Sequence, residues 1–195
     1  MFELINTALD GTFRLIAFLF KIISSPGIVL HEYAHLRCCH LFEVKVYDYK
    51  LLDLFSFSYV GGYVEHEQVN DPFKQFVISY APLLVNSAAT LLFGIVSVSI
   101  LPISSIAAKI LFWLAFFFGF HALPSYADAR AFLNVCLAGL KTFQIFSIIL
   151  FPFAIICVIF AFVGQIPKIN ALLRISYPMI ILIFFTNISQ VTSIL

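Results

Sequence analysis

From Gln75 to Ala108 the chain carries no charged side chain. Charge-free runs recur from Ile110 to Ala127, from Thr142 to Pro167 and from Ile175 to Leu195. About 20 apolar residues suffice for a helix to cross a bilayer. These runs predict spans at about 75–100, 105–123, 142–165 and 176–195. A fifth apolar stretch extends from Phe13 to Phe42, interrupted by Lys21 and by Ser24-Ser25-Pro26-Gly27. As one helix it would reach about 45 Å, longer than a hydrocarbon core of about 30 Å. Pro26 can open a new helix capped by Ser25, or kink a single long one. A tilted, kinked or split element is expected, and the count is five or six spans.

Composition agrees. Hydrophobic residues make up 62% and charged residues 11% of the 195, against about 45–50% and 25% in soluble domains. Too little polar surface exists to cover a water-soluble globule. A soluble enzyme, a disordered tail and a nucleic-acid binder are excluded; a net charge of +1 offers no footprint for a polyanion. The expected class is an all-α membrane protein in a lipid bilayer. It is a single domain over residues 1–195, with a core at 25–130 and an additional helical hairpin at 141–195. The first ten residues carry Glu3 and Asp10 but no Lys or Arg, unlike a secretory signal. Cys38, Cys39, Cys136 and Cys157 form no C-x-x-C pair, so no disulfide scaffold is expected.

Residues 44–65 break the helical pattern. Val44, Val46 and Tyr49 alternate loosely with Lys45, Asp48 and Lys50, and Phe55, Phe57 and Tyr59 with Ser56 and Ser58. Period two with aromatic and β-branched residues predicts strands, and Gly61-Gly62 predicts a turn or bulge. Such a segment must lie at the interface or be buried by helices, because unpaired backbone is not tolerated in lipid. Arg37, Lys45, Lys50, Lys74, Arg130 and Lys141 fall on one side, against Arg14, Lys109, Lys168 and Arg174 on the other. This bias places residues 43–74 on the cytoplasmic side.

The polar residues inside the apolar runs are few. His31-Glu32-Tyr33-Ala34-His35 reads H-E-x-x-H. On a helix the two histidines lie about 40° apart around the axis and about 6 Å along it. Both imidazoles can then hold one Zn²⁺, with Glu32 placed to take a proton from water at the metal. A shuffled chain of this composition would contain the motif about 0.3% of the time, which favours a metal site over chance. A catalytic zinc needs a third protein ligand and an open position. Cys39 and His40 lie about 12–13 Å from His31 along a continuing helix, out of reach. Position 41, where some soluble zincins carry a third histidine, is Leu41. Glu65 and Glu67 have acceptable spacing but sit in the predicted strands. Asp128 is the better candidate: it is the only acidic residue after Asp71 and follows Pro124, which frees local backbone to aim a side chain. Its alternative role is pairing with Arg130 or capping the next helix. His121 can be a ligand, a supporting donor or a core histidine. Asn86 can hydrogen-bond a substrate backbone or glue helices. His66 reads as a solvated loop residue.

Over residues 25–130 this pattern resembles the site-2 protease group of intramembrane zinc metalloproteases. Pro82 and Asn86 resemble the Gly-Pro-x-x-Asn-like stretch of that group, with one extra residue between them and Ala81 in place of Gly. The Asp128 element departs from it too. His121 stands where the group has Asn, and Asp128 follows Pro124 by four residues rather than five and precedes Ala129 rather than Gly. Pro26-Gly27-Ile28-Val29-Leu30-His31, Gly62-Tyr63-Val64 and His121-Ala122-Leu123-Pro124-Ser125-Tyr126-Ala127-Asp128 are similar to elements of small prokaryotic metalloprotease-like membrane proteins. The resemblance implies zinc held by His31, His35 and Asp128, with Glu32 as general base. It also implies peptide hydrolysis of membrane-anchored proteins, and a β segment that pairs with an unwound substrate strand. The alternative is a non-catalytic, metal-stabilised membrane scaffold that binds a partner. An ion transporter is disfavoured because no inverted repeat is visible.

Overall fold

The computed structural model describes residues 2–54, 61–102 and 105–192, with side chains described between 14 and 184. The chain is mostly helical. In order it forms α1 (Phe2–Leu41), β1 (Val46–Lys50), β2 (Tyr63–His66), α2 (Pro72–Ile95), α3 (Ile106–Phe120), α4 (Tyr126–Lys141), α5 (Ile145–Val163) and α6 (Pro167–Thr192). A π-turn over Val96–Ile100 extends α2.

Among the described residues, four helical stretches are long and apolar enough to cross a membrane: Arg14–Leu41, Pro72–Ile100, Ile145–Val163 and Pro167–Phe184. The expectation of five or six spans is met only to that extent. The run at 105–123 yields α3, whose 15 residues reach about 22 Å. It starts where the Ser105 side chain accepts the N–H of Ala108, and it stops at His121, three residues before Pro124. Apolar composition continues past that stop, but helix does not.

α1 resolves the ambiguity at Pro26. The helix runs through the proline rather than splitting. Pro26 has no N–H for the carbonyl of Ile22, four residues earlier. The Ser25 hydroxyl donates to that carbonyl instead, at 2.8 Å. A neighbouring side chain thus repairs the ladder where the proline breaks it.

α2 is the hub of the bundle, packing against α1, α3, α4, α5 and α6. α5 lies along α4 and α2, and α6 along α3 and α2. The expected 141–195 hairpin is therefore two helices docked mainly on the core rather than on each other. Aromatic side chains knit the α2–α4–α5 contact: Tyr80 meets Phe132 edge-on and Phe76 in a stack, around buried Cys136 and Ala154. The outward faces are apolar, with Ile145, Ile149 and Ile156 exposed, as a lipid-facing surface requires. All four cysteines are free thiols.

The expected β segment is a two-stranded antiparallel sheet between β1 and β2. Val46 faces His66 and Lys50 faces Tyr63, with the register slipping between Val46 and Asp48. Asp48 accepts the Tyr63 hydroxyl at 2.5 Å, which raises the phenol pKa above its ordinary value. Phe55, Phe57 and Tyr59, expected to continue the alternation, lie outside the described residues.

Close contact between α1 and α3 depends on Gly27. A Cβ there would overlap the Phe117 carbonyl oxygen and lie 2.9 Å from His121 Cδ2. Gly27→Ala is expected to push these helices apart and destabilise the fold by about 1–3 kcal/mol. Thermal unfolding in detergent measures this; an unchanged midpoint would contradict the packing described.

Candidate metal centre

His31 and His35 stand one turn apart on α1, their ring centroids 5.0 Å apart. A backbone carbonyl orients each ring. His31 Nδ1 lies 2.6 Å from the carbonyl oxygen of His121, and His35 Nδ1 lies 2.8 Å from that of Ile78. A carbonyl oxygen only accepts, so each Nδ1 is the donor and carries the proton. In the neutral rings the Nε2 atoms are left with bare lone pairs, the form a metal-binding histidine takes.

The His121 carbonyl is available because α3 ends there. Position 124 is proline and has no N–H. The N–H of Ser125 is donated to Asp128 Oδ2 at 2.9 Å. Neither neighbour therefore competes with His31 for that oxygen.

Asp128 enters from the first turn of α4, and its two oxygens do different things. Oδ2 accepts the Ser125 N–H and also the Ser125 hydroxyl, while Ser125 Oγ accepts the Asp128 N–H at 3.1 Å. This capping box fixes the start of α4. Oδ1 faces His35 Nε2 at 3.6 Å. The Asp128 carbonyl accepts from Ser79 Oγ at 3.1 Å, and Ser79 Oγ accepts from Gln75 Nε2 at 2.9 Å. Through this chain α2 holds the first turn of α4 in place. The two roles weighed for Asp128, cap and ligand candidate, are compatible because they use different oxygens.

One potential ligand atom from each of His31, His35 and Asp128 lies within 4.8 Å of the other two. Tetrahedral zinc, with ligands at about 2.0–2.2 Å, needs them about 3.4 Å apart. The His35–Asp128 separation of 3.6 Å is close to that, and small side-chain rotations would draw in the rest. Two bare imidazole nitrogens and a carboxylate oxygen form a set that a divalent cation satisfies. Two histidines and one carboxylate are also the composition that leaves zinc a fourth, open position.

Glu32 is half-buried on α1 beside His31, and the sheet presses against it. A Cβ on Gly62 would lie 2.7 Å from Glu32 Cγ, and one on Gly61 would lie 2.7 Å from Ile28 Cδ1. The Gly-Gly pair therefore serves the close approach of strand to helix. The pair is also expected to make a turn or bulge; residues 55–60, which lead into it, lie outside the described residues, and the irregularity in register lies between Val46 and Asp48.

The remaining candidates fall elsewhere. Asn86 is fully buried and donates to the Gly27 carbonyl at 3.1 Å, tying α2 to α1 one turn before the motif. That contact is the helix-joining role among the two considered. His121 supports His31 through its main chain, while its ring packs beside Gly27. Glu67 accepts the Lys45 N–H at 3.1 Å and Glu65 is exposed; neither joins the three-residue group. His66 contacts the carbonyl of Glu67.

Arg174 was not singled out from sequence. It reaches from α6 to the Phe120 carbonyl at 3.2 Å and to Asn170 Oδ1 at 2.6 Å. It thereby grips the residue preceding His121. In the sequence it reads as a charge at the edge of the apolar run that begins at Ile175, and only the structure places it inside the helical stretch Pro167–Phe184.

The chain matches no model of a protein family, no curated protein and no solved structure.

Proposed function

We propose that this chain is a zinc-dependent intramembrane endopeptidase, similar in kind to the site-2 proteases, that hydrolyses peptide bonds of membrane-anchored proteins. The observation that carries this reading is the convergence of His31, His35 and Asp128 beside Glu32. His31 Nε2, His35 Nε2 and Asp128 Oδ1 would hold the metal. Zinc, when bound, makes water a nucleophile at neutral pH and polarises a carbonyl. Glu32 takes the proton from the attacking water and later delivers it to the leaving amine. The main chain at Gly62 borders Glu32, so an extended substrate segment added to the sheet would arrive beside the general base. A helical substrate shields its peptide bonds, which makes local unwinding part of recognition. Asn86 and His121 act as supports that hold α1 against α2 and α3.

The test uses the full chain purified in detergent. About one zinc per chain is expected for the wild type and almost none for His35→Ala. Cleavage of a membrane-anchored reporter should stop with a zinc chelator and return when zinc is restored. Zinc held by four protein ligands, with no cleavage, would instead support a metal-stabilised scaffold.

A further inference from the structure

Pro82 lies inside α2 with its ring fully buried. In an uninterrupted helix the N–H of residue 82 would bond the carbonyl of residue 78. Proline has no N–H, and its ring crowds that carbonyl. Ile78 O is the very oxygen that meets His35 Nδ1 at 2.8 Å.

The surroundings make this pairing consequential. Ile78 is 2% exposed and His35 7% exposed, so bulk water is not a ready substitute partner. A buried carbonyl without a donor is costly. The two prolines of α1 and α2 meet this problem differently. At Pro26 the freed Ile22 carbonyl is filled locally by Ser25. At Pro82 the donor comes from another helix, and it is a ring of the H-E-x-x-H motif.

We propose that Pro82 is a positioning residue for the metal centre: by withholding an N–H from the Ile78 carbonyl, it reserves that oxygen for His35 Nδ1 and so turns His35 Nε2 toward Asp128. The inference rests on the metal-binding reading above and assigns the orientation of one ligand to a helix defect in a different element. Pro82→Ala supplies the missing N–H. The new intrahelical bond competes with His35 for Ile78 O, and the ring loses its fixed orientation.

The experiment measures zinc affinity by chelator competition, together with thermal unfolding of the metal-free protein. Alanine is the better helix former. If Pro82 were merely structural, Pro82→Ala would leave zinc affinity unchanged. The expected result is a loss of affinity of about 10–100-fold, the usual scale for removing a second-layer partner, with unfolding of the metal-free protein unchanged or raised. Pro152→Ala, at an exposed position of α5 outside the three-residue group, should leave affinity unchanged. Nitrogen-15 NMR of the zinc-loaded wild type should show His35 protonated at Nδ1 and slow to exchange. A wild type that binds no zinc overturns the metal reading and the inference with it. A wild type that binds zinc, with equal affinity in Pro82→Ala, overturns this inference alone. Should Pro82→Ala fail to fold, the wild-type spectrum decides: zinc coordinated through His35 Nδ1, or rapid exchange of its proton, overturns the proposal.

Discussion

Glu32→Gln is expected to abolish cleavage while zinc stays bound. Glutamine keeps the Cβ and Cγ atoms, so the contact between Glu32 Cγ and Gly62 survives. The candidate metal-binding group does not include Glu32, so its three members are untouched. What disappears is a carboxylate that can accept a proton from water and return it. General-base catalysis contributes about 10²- to 10⁴-fold, and the loss should be of that order or greater. Zinc content, thermal unfolding and reporter cleavage on one preparation separate the effects. Unchanged zinc and unfolding with cleavage lost is the expected triad. Retained cleavage would sink the assigned mechanism.

Asp128→Asn carries the second large effect, on metal affinity. The amide oxygen of asparagine can still accept the Ser125 N–H, so the start of α4 should hold. The negative charge facing His35 Nε2 is lost, and an amide is a poor zinc ligand. The drop in zinc affinity should exceed the 10–100-fold expected for outer partners. Asp128→Ala loses the charge and the cap together, adding a stability cost of about 1 kcal/mol. Comparing the two variants separates the Oδ1 role from the Oδ2 role. Undiminished zinc in Asp128→Asn would overturn the third-ligand assignment.

Sequence reasoning reached the side chains of this site better than its backbone. H-E-x-x-H fixes its own geometry because a helix has one pitch, so His31 and His35 could be paired on paper. Asp128 was legible because charge is scarce: an acid alone after a helix-breaking proline has few reasons to be there. The capping box that Ser125 and Asp128 form in the structure explains the aim of the carboxylate. The two carbonyls that orient the histidines carry no signature, since every residue has a carbonyl. Whether one is free depends on an N–H four residues later that is missing, as at Pro82, or donated elsewhere, as at Ser125, and whether it meets a ring depends on tertiary packing. The helix boundary at Phe120 was hidden because hydrophobicity continues through Ala122 and Leu123. Arg174 reaches the Phe120 carbonyl across 54 positions of chain, a separation that local pattern does not report.

Gly61 and Gly62 show the same limit. Adjacent glycines suggest a turn because they tolerate positive φ. Here no described glycine has a positive φ, and what matters is the absent side chain, which lets the sheet reach the helix.

The orientation of both histidines is written in main-chain oxygens, and this bears on how such a centre could be moved or redesigned. A grafted copy of His31, Glu32, His35 and Asp128 in an ideal four-helix bundle would meet carbonyls already occupied by their own helices. The rings would then lack a fixed acceptor and could turn either nitrogen toward the ion. The transferable parts are therefore the interruptions: a proline four residues after the acceptor on one helix, and a helix end followed by proline and a cap on another. The side chains at 78 and 121 could vary in such a graft, provided the breaks beside them and the packing of α1 on α3 were kept.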